Sequence, residues 1–95
     1  MSGTMADDFD DRSDRSLHDE AIGRAVRHLD IGYFRHQLEV VPAARAGAGD
    51  IEEAEIDVIK PSKLLAEAVS RDPELLAALR PLHIEYLRAH GEPES

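Results

Sequence analysis

From Ser16 to Val41 apolar side chains recur with the period of an α-helix, and this run constrains the fold more than any other feature. On a wheel at about 100° per residue, His18, Ile22, Ala25, Leu29, Tyr33, His36 and Val40 form one stripe. That is the core face of an amphipathic helix. The opposite side carries Arg24 and Arg27 in the first half, then Ile31, Phe34, Leu38 and Val41 in the second. A surface helix of a small monomer needs one apolar side only. Three arrangements satisfy the second side. The rest of the chain wraps it, another subunit covers it, or the helix breaks at Gly32 with Asp30 as a new cap. A glycine inside a helix costs about 1 kcal/mol relative to alanine, which favours a break or a close contact there. Ser16 is the expected N-cap, with Asp19 in the capping-box position. Pro42 is the expected stop.

Beyond Pro42, "PAARAGAGD" (42–50) reads as a linker with Gly47 and Gly49 in it. In "IEEAEIDVI" (51–59), Ala54, Ile56 and Val58 alternate with Glu55, Asp57 and Ile59. The segment is either a short strand needing a partner's strand or an acidic extended connector. Pro61 suits a first helical position, and a two-turn helix follows with Leu64, Leu65, Ala68 and Val69 on one face. The last helix has Asp72 as cap, Pro73 at its first position and Glu74 beside the helix dipole. Its stripe is Leu75, Leu79, Leu82 and Tyr86, Pro81 is expected to kink it, and Gly91 to end it.

The expected fold is therefore mainly α, a small antiparallel helical bundle or helical hairpin. A disordered acidic tail is expected over 1–13. A single helical domain spans 14–91, with an acidic linker at 42–60 and an extended piece near 54–59, and a second tail covers 92–95. A chain of 95 residues is one small domain at most.

Charge and residue usage narrow the function. The net charge is -9, concentrated in the N-terminal tail and in the acidic segment after Gly47. Such a chain is repelled by phosphate backbones, so nucleic-acid binding is not expected. A small basic strip of Arg24, Arg27, His28 and Arg35 keeps a DNA-binding reading open, and the acids keep a DNA-mimic reading open. With no cysteine there is no disulfide, thiolate metal site or cysteine nucleophile. No apolar run approaches the roughly 20 residues of a membrane span, and the acidic N-terminal run does not resemble a secretory leader. A cytoplasmic protein without cofactor is the expectation.

The histidines are the remaining candidates for chemistry. His18 and His36 share a direction but lie about 27 Å apart along one helix, too far for a common ligand. If the two long helices run antiparallel, His36 and Glu39 approach His83 or His90, and those four residues are the candidate metal set. Ordinary hydrogen-bonded boundary histidines are the simpler reading. Serines fall in tails, caps and helix ends, "AGAG" lacks the lysine of a phosphate loop, and the paired carboxylates are charge runs. The expected function is non-enzymatic contact with protein, as a homo-oligomer or an accessory subunit. The expected interface is Ile31, Phe34, Leu38 and Val41, with Ile56 and Val58 as a second contact.

Overall fold

The computed structural model describes residues 11–42 and 57–90, with the single positions 9, 45, 49 and 53. Among the described residues five helices can be delimited, in chain order α1 Asp14–His28, α2 Ile31–Val40, α3 Ile59–Ser70, α4 Pro73–Ala78 and α5 Arg80–His90. No strand occurs among the described residues, and the chain forms the mainly helical bundle that its periodicity implies. The calls on residues 1–8, Ile56, Gly91 and the tail 92–95 lie outside the described residues.

Helix α1 starts earlier than the capping-box reading places it. Ser13, in extended backbone, is the N-cap, and its side chain accepts from the Ser16 N–H. The Ser16 hydroxyl instead accepts from the Arg12 guanidinium at 2.9 Å. Arg12 also pairs with Glu20 at 2.5 Å. Phe9 lies partly buried against the core, and its carbonyl accepts from Arg80. The stretch just ahead of α1, assigned above to a disordered tail, is thus held at Phe9, Arg12 and Ser13.

The helical run breaks, but at Leu29 rather than Gly32. Leu29 adopts the left-handed conformation, φ 53 and ψ 47, and its N–H caps the carbonyls of Ala25 and Val26. Asp30 then caps α2, accepting from the Tyr33 N–H at 3.0 Å. A glycine commonly fills such a helix-ending position. Here a leucine does, and it is 67% exposed. The break resets the helical phase, so α2 buries Tyr33, Phe34, Gln37 and, just past its end, Val41. That face takes members of both expected stripes. His36 and Val40 are exposed, while Ile31 and Leu38 are partly buried against the core.

Pro42 does not end helical backbone. The chain is helical again at Pro42 itself, and Arg45 N–H donates to the Val41 carbonyl at 3.1 Å. A proline suits a first helical position because its missing N–H would be unpaired there. Helix α3 begins at Ile59, whose N–H donates to the Asp57 carboxylate, with Val58 already in helical backbone. The end of the strand-like segment, 57–59, is therefore a turn into a helix. Pro61 is the third residue of α3 and is buried rather than first in line.

Asp72 caps α4 as its sequence implies, accepting from Glu74 and Leu75 N–H, with Pro73 first. The kink expected at Pro81 is a one-residue interruption at Leu79, which itself keeps right-handed helical backbone. Pro81 has no N–H for the Ala77 carbonyl, and the Leu79 N–H reaches that carbonyl and Leu75's instead.

The core joins Leu17, Ala21 and Ala25 of α1 to Phe34, Leu65, Val69, Leu76, Leu79 and Leu87. Helix α1 is central and lies against α3, α4 and most extensively α5. Asp14, His18 and His28 meet Arg80, His83 and His90 in the same order, so α1 and α5 run parallel. Asp30, Tyr33 and Gln37 of α2 meet His90, Tyr86 and His83 of α5 in reverse order, so the helix that carries His36 runs antiparallel to α5. His36 and Glu39 stay away from His83 and His90 because they lie on the exposed face of α2.

Candidate functional site

The most distinctive chemistry of the chain is inside it. His18 of α1 and His83 of α5 are 1% and 0% exposed, and Gln37 of α2 is 0% exposed. His18 Nδ1 faces His83 Nε2 at 3.3 Å. The other ring nitrogen of His83, Nδ1, is bonded to the Tyr33 hydroxyl and lies 3.2 Å from Gln37 Nε2. Gln37, Tyr33, His83 and His18 thus form one buried chain that ties α2, α5 and α1 together. Each helix contributes by its phase: Leu17, His18 and Ala21 share the inward face of α1, and Tyr33, Phe34 and Gln37 that of α2.

The chain has two self-consistent polarities. In one, the Tyr33 O–H donates to His83 Nδ1 and the His83 Nε2–H donates to His18 Nδ1. The proton of His18 then sits on Nε2, which is buried without a partner, as is Gln37 Oε1 at the opposite end. Turning the Gln37 amide over reverses every donor. In both polarities each imidazole carries a single ring proton, and both rings adopt the same tautomer. The two unpartnered ends cost stability, since a buried polar atom without a bond forfeits its hydration.

Burial fixes the charge state. It pushes His83 down to about 3; the neighbouring His18 ring acts in the same direction and Asp14 opposes it. Burial also lowers His18, with Asp19 opposing and Arg15 assisting. Tyr33 is raised far above its ordinary value, chiefly by burial and then by Tyr86. All four groups are uncharged at neutral pH.

The seam continues toward the ends of α1 and α5. Tyr33 and Tyr86 rings lie 4.1 Å apart, Tyr86 and His90 4.2 Å, and His90 and His28 5.5 Å. His90 Nε2 is 3.9 Å from Asp30, the cap of α2. Four of the five histidines therefore lie along one seam. Only His36 is elsewhere, 3.8 Å from Glu39 on an exposed face.

The candidate metal set is accordingly not assembled. His83 is enclosed by Tyr33, Gln37 and His18, His90 stacks on Tyr86, and His36 with Glu39 faces outward. Among the described residues no three histidine or carboxylate side chains converge as a metal would need. Phe34 and Val41, expected at an interface, are 3% and 1% exposed and belong to the chain's own core. The phase reset at Leu29 is the cause. Ile31 and Leu38 stay partly open, Val58 is buried, and Ile56 lies outside the described residues. In the basic strip, Arg24 is bonded to Glu20 at 2.8 Å.

The His18–His83 contact escapes the wheel because its members lie far apart in sequence. His18 on the core stripe was the one signal available, with no means of naming its partner. On the surface, a groove beside the start of α1 is lined by Arg12, Ser13, Arg15, Ser16, Asp19 and Glu20. Its Arg12 is already tied to Glu20 and Ser16. Among the described residues no helix is long and apolar enough to cross a membrane. No protein-family model matches the chain, and neither a curated protein nor a solved structure matches it.

Proposed function

We propose that the protein is a non-enzymatic helical module that works through protein–protein contact, in the first instance with a second copy of itself. The supporting observation is the apolar side chains left outside. Leu29, Val40, Ile59 and Leu64 are 67, 43, 52 and 38% exposed. They flank α2 and occupy the first half of α3, two helices that lie against each other. Partly buried Ile31 and Leu38 belong to the same α2. The contact surface in this reading is thus Ile31, Leu38, Val40, Ile59 and Leu64, with Phe34 and Val41 as the core beneath. A subunit of a larger assembly uses the same surface in the heteromeric form of the reading.

The buried histidine chain supports the non-enzymatic half. A Tyr–His–His relay is a familiar catalytic inventory, but its members are closed off from any substrate. The test is light scattering across a wide concentration range on the wild type and on a paired Ile59→Glu, Leu64→Glu variant. A concentration-dependent dimer that the variant loses, with helicity unchanged, supports self-contact. A wild type that stays monomeric at millimolar concentration removes it.

A further inference from the structure

We propose that the His18–His83 contact is an acid-sensitive lock: taking up a proton on the pair unseats α5 from α1 and opens the fold. The contact sits between α1 and α5, the most extensive interface among the described helices. Both rings are enclosed. Each bond between the rings, Tyr33 and Gln37 is made with one proton per ring, so an added proton brings a net charge with it.

The surroundings offer that charge little compensation. From α1 the ionisable neighbours acting on the pair are Asp14, Asp19 and Arg15. Asp14 is already bonded to Arg80 of α5 at 2.6 Å, and Asp19 is exposed. From α2 the pair meets Tyr33 and Gln37, both neutral, with Asp30 at the far end of the seam beside His90. On α5 itself, Arg80 is engaged with Asp14, and Tyr86 stacks on Tyr33 rather than on the pair. The charged groups of α3 and α4, Lys60, Lys63, Glu67 and Glu74, are exposed. Among the described residues no unpaired carboxylate is bonded to either ring, so a cation there is held by neutral groups in a dry site.

The opened chain gives both imidazoles to water. Protons therefore bind the open form better, starting as pH falls below 6.5, the ordinary histidine value, and continuing toward the depressed value of His83 near 3. The folded state's advantage is complete above 6.5 and is lost as pH falls. Each histidine shifts the folded-to-open ratio by up to about tenfold per pH unit in that window. Carboxylate protonation adds its own effect at lower pH: Glu20, held down by Arg24, contributes as pH falls below 4.5.

The experiment is urea unfolding between pH 7 and 5 on the full chain and on His18→Leu, with histidine ring NMR on the wild type. Wild-type stability should fall across this range. Its unfolding should take up about one proton more than that of His18→Leu. The ring signals of residues 18 and 83 should stay at their neutral positions until the fold is lost, a readout that survives if His18→Leu does not fold. Stability that is flat from pH 7 to 5 overturns the lock. So do ring signals of 18 and 83 that titrate while the helices remain intact.

Discussion

His18 Nδ1 and His83 Nε2 lie 3.3 Å apart although 65 residues separate them in sequence. The bond exists because α1 and α5 run parallel, with Asp14 and Arg80 joined by an ion pair at their starts. It places polar rings where a pair of leucines would give a drier and simpler core. The four neutral groups of the chain hold three helices in one mutual register, and each link has a measurable consequence.

Removing the middle link should weaken the fold without dismantling it. Tyr33→Phe keeps the ring stacked on Tyr86 but deletes the hydroxyl bonded to His83. Gln37 Nε2 still reaches His83 Nδ1, so the expected loss is about 0.5 to 1.5 kcal/mol, the net value of one hydrogen bond rather than of an abandoned polar group. Urea unfolding at pH 7 reads it directly, and an unchanged midpoint would show that the hydroxyl is not part of the chain.

The junction of α1 and α2 should be improvable. Leu29 holds φ 53 while 67% exposed, so it carries left-handed strain with little burial in return. Leu29→Gly should stabilise the fold by about 0.5 to 1 kcal/mol, after glycine's own entropy cost. Gly32 needs no such freedom: a Cβ there meets only Asp30 Oδ1 at 3.6 Å. Gly32→Ala should therefore add a similar gain. Thermal melts of the two variants check both, and a drop in either midpoint contradicts the geometry of this turn.

Phe34 and Leu64 should respond oppositely to a charge. Phe34 is 3% exposed in the core, and Phe34→Asp buries an unpaired carboxylate. It should abolish cooperative unfolding in circular dichroism rather than yield a smaller folded species. Leu64 is 38% exposed, and Leu64→Glu should cost no more than about 1 kcal/mol while changing association. A folded Phe34→Asp would return that residue to the surface.

These outcomes mark how far the sequence could be read. The helical class, the Asp72–Pro73–Glu74 start of α4 and the use of Asp30 as a cap follow from local rules, and the structure has all three. The break lies at Leu29, three residues before Gly32, because a leucine rather than the usual glycine takes the left-handed position. That shift alone explains why Phe34 and Val41 looked like a second face: a wheel drawn through a broken helix carries the wrong phase. The Ser13 cap was missed because Ser16 fits a capping box equally well. His18 could be placed on the inward face, yet its partner depends on the parallel direction of α5. That direction is a matter of packing across the whole chain, which no local pattern encodes.

The most direct test of the buried chain is the tautomer of its two imidazoles, read from ring nitrogen shifts by long-range proton–nitrogen correlation at pH 7. A hydrogen bond between His18 Nδ1 and His83 Nε2 needs one of those atoms to carry a proton and the other to be bare. Burial keeps both rings neutral, and two neutral rings joined by this bond are of the same tautomer, either both protonated at Nε2 or both at Nδ1. Two neutral rings of matching tautomer are the predicted result. A mixed pair, or an imidazolium at either position in the folded protein, would contradict the account.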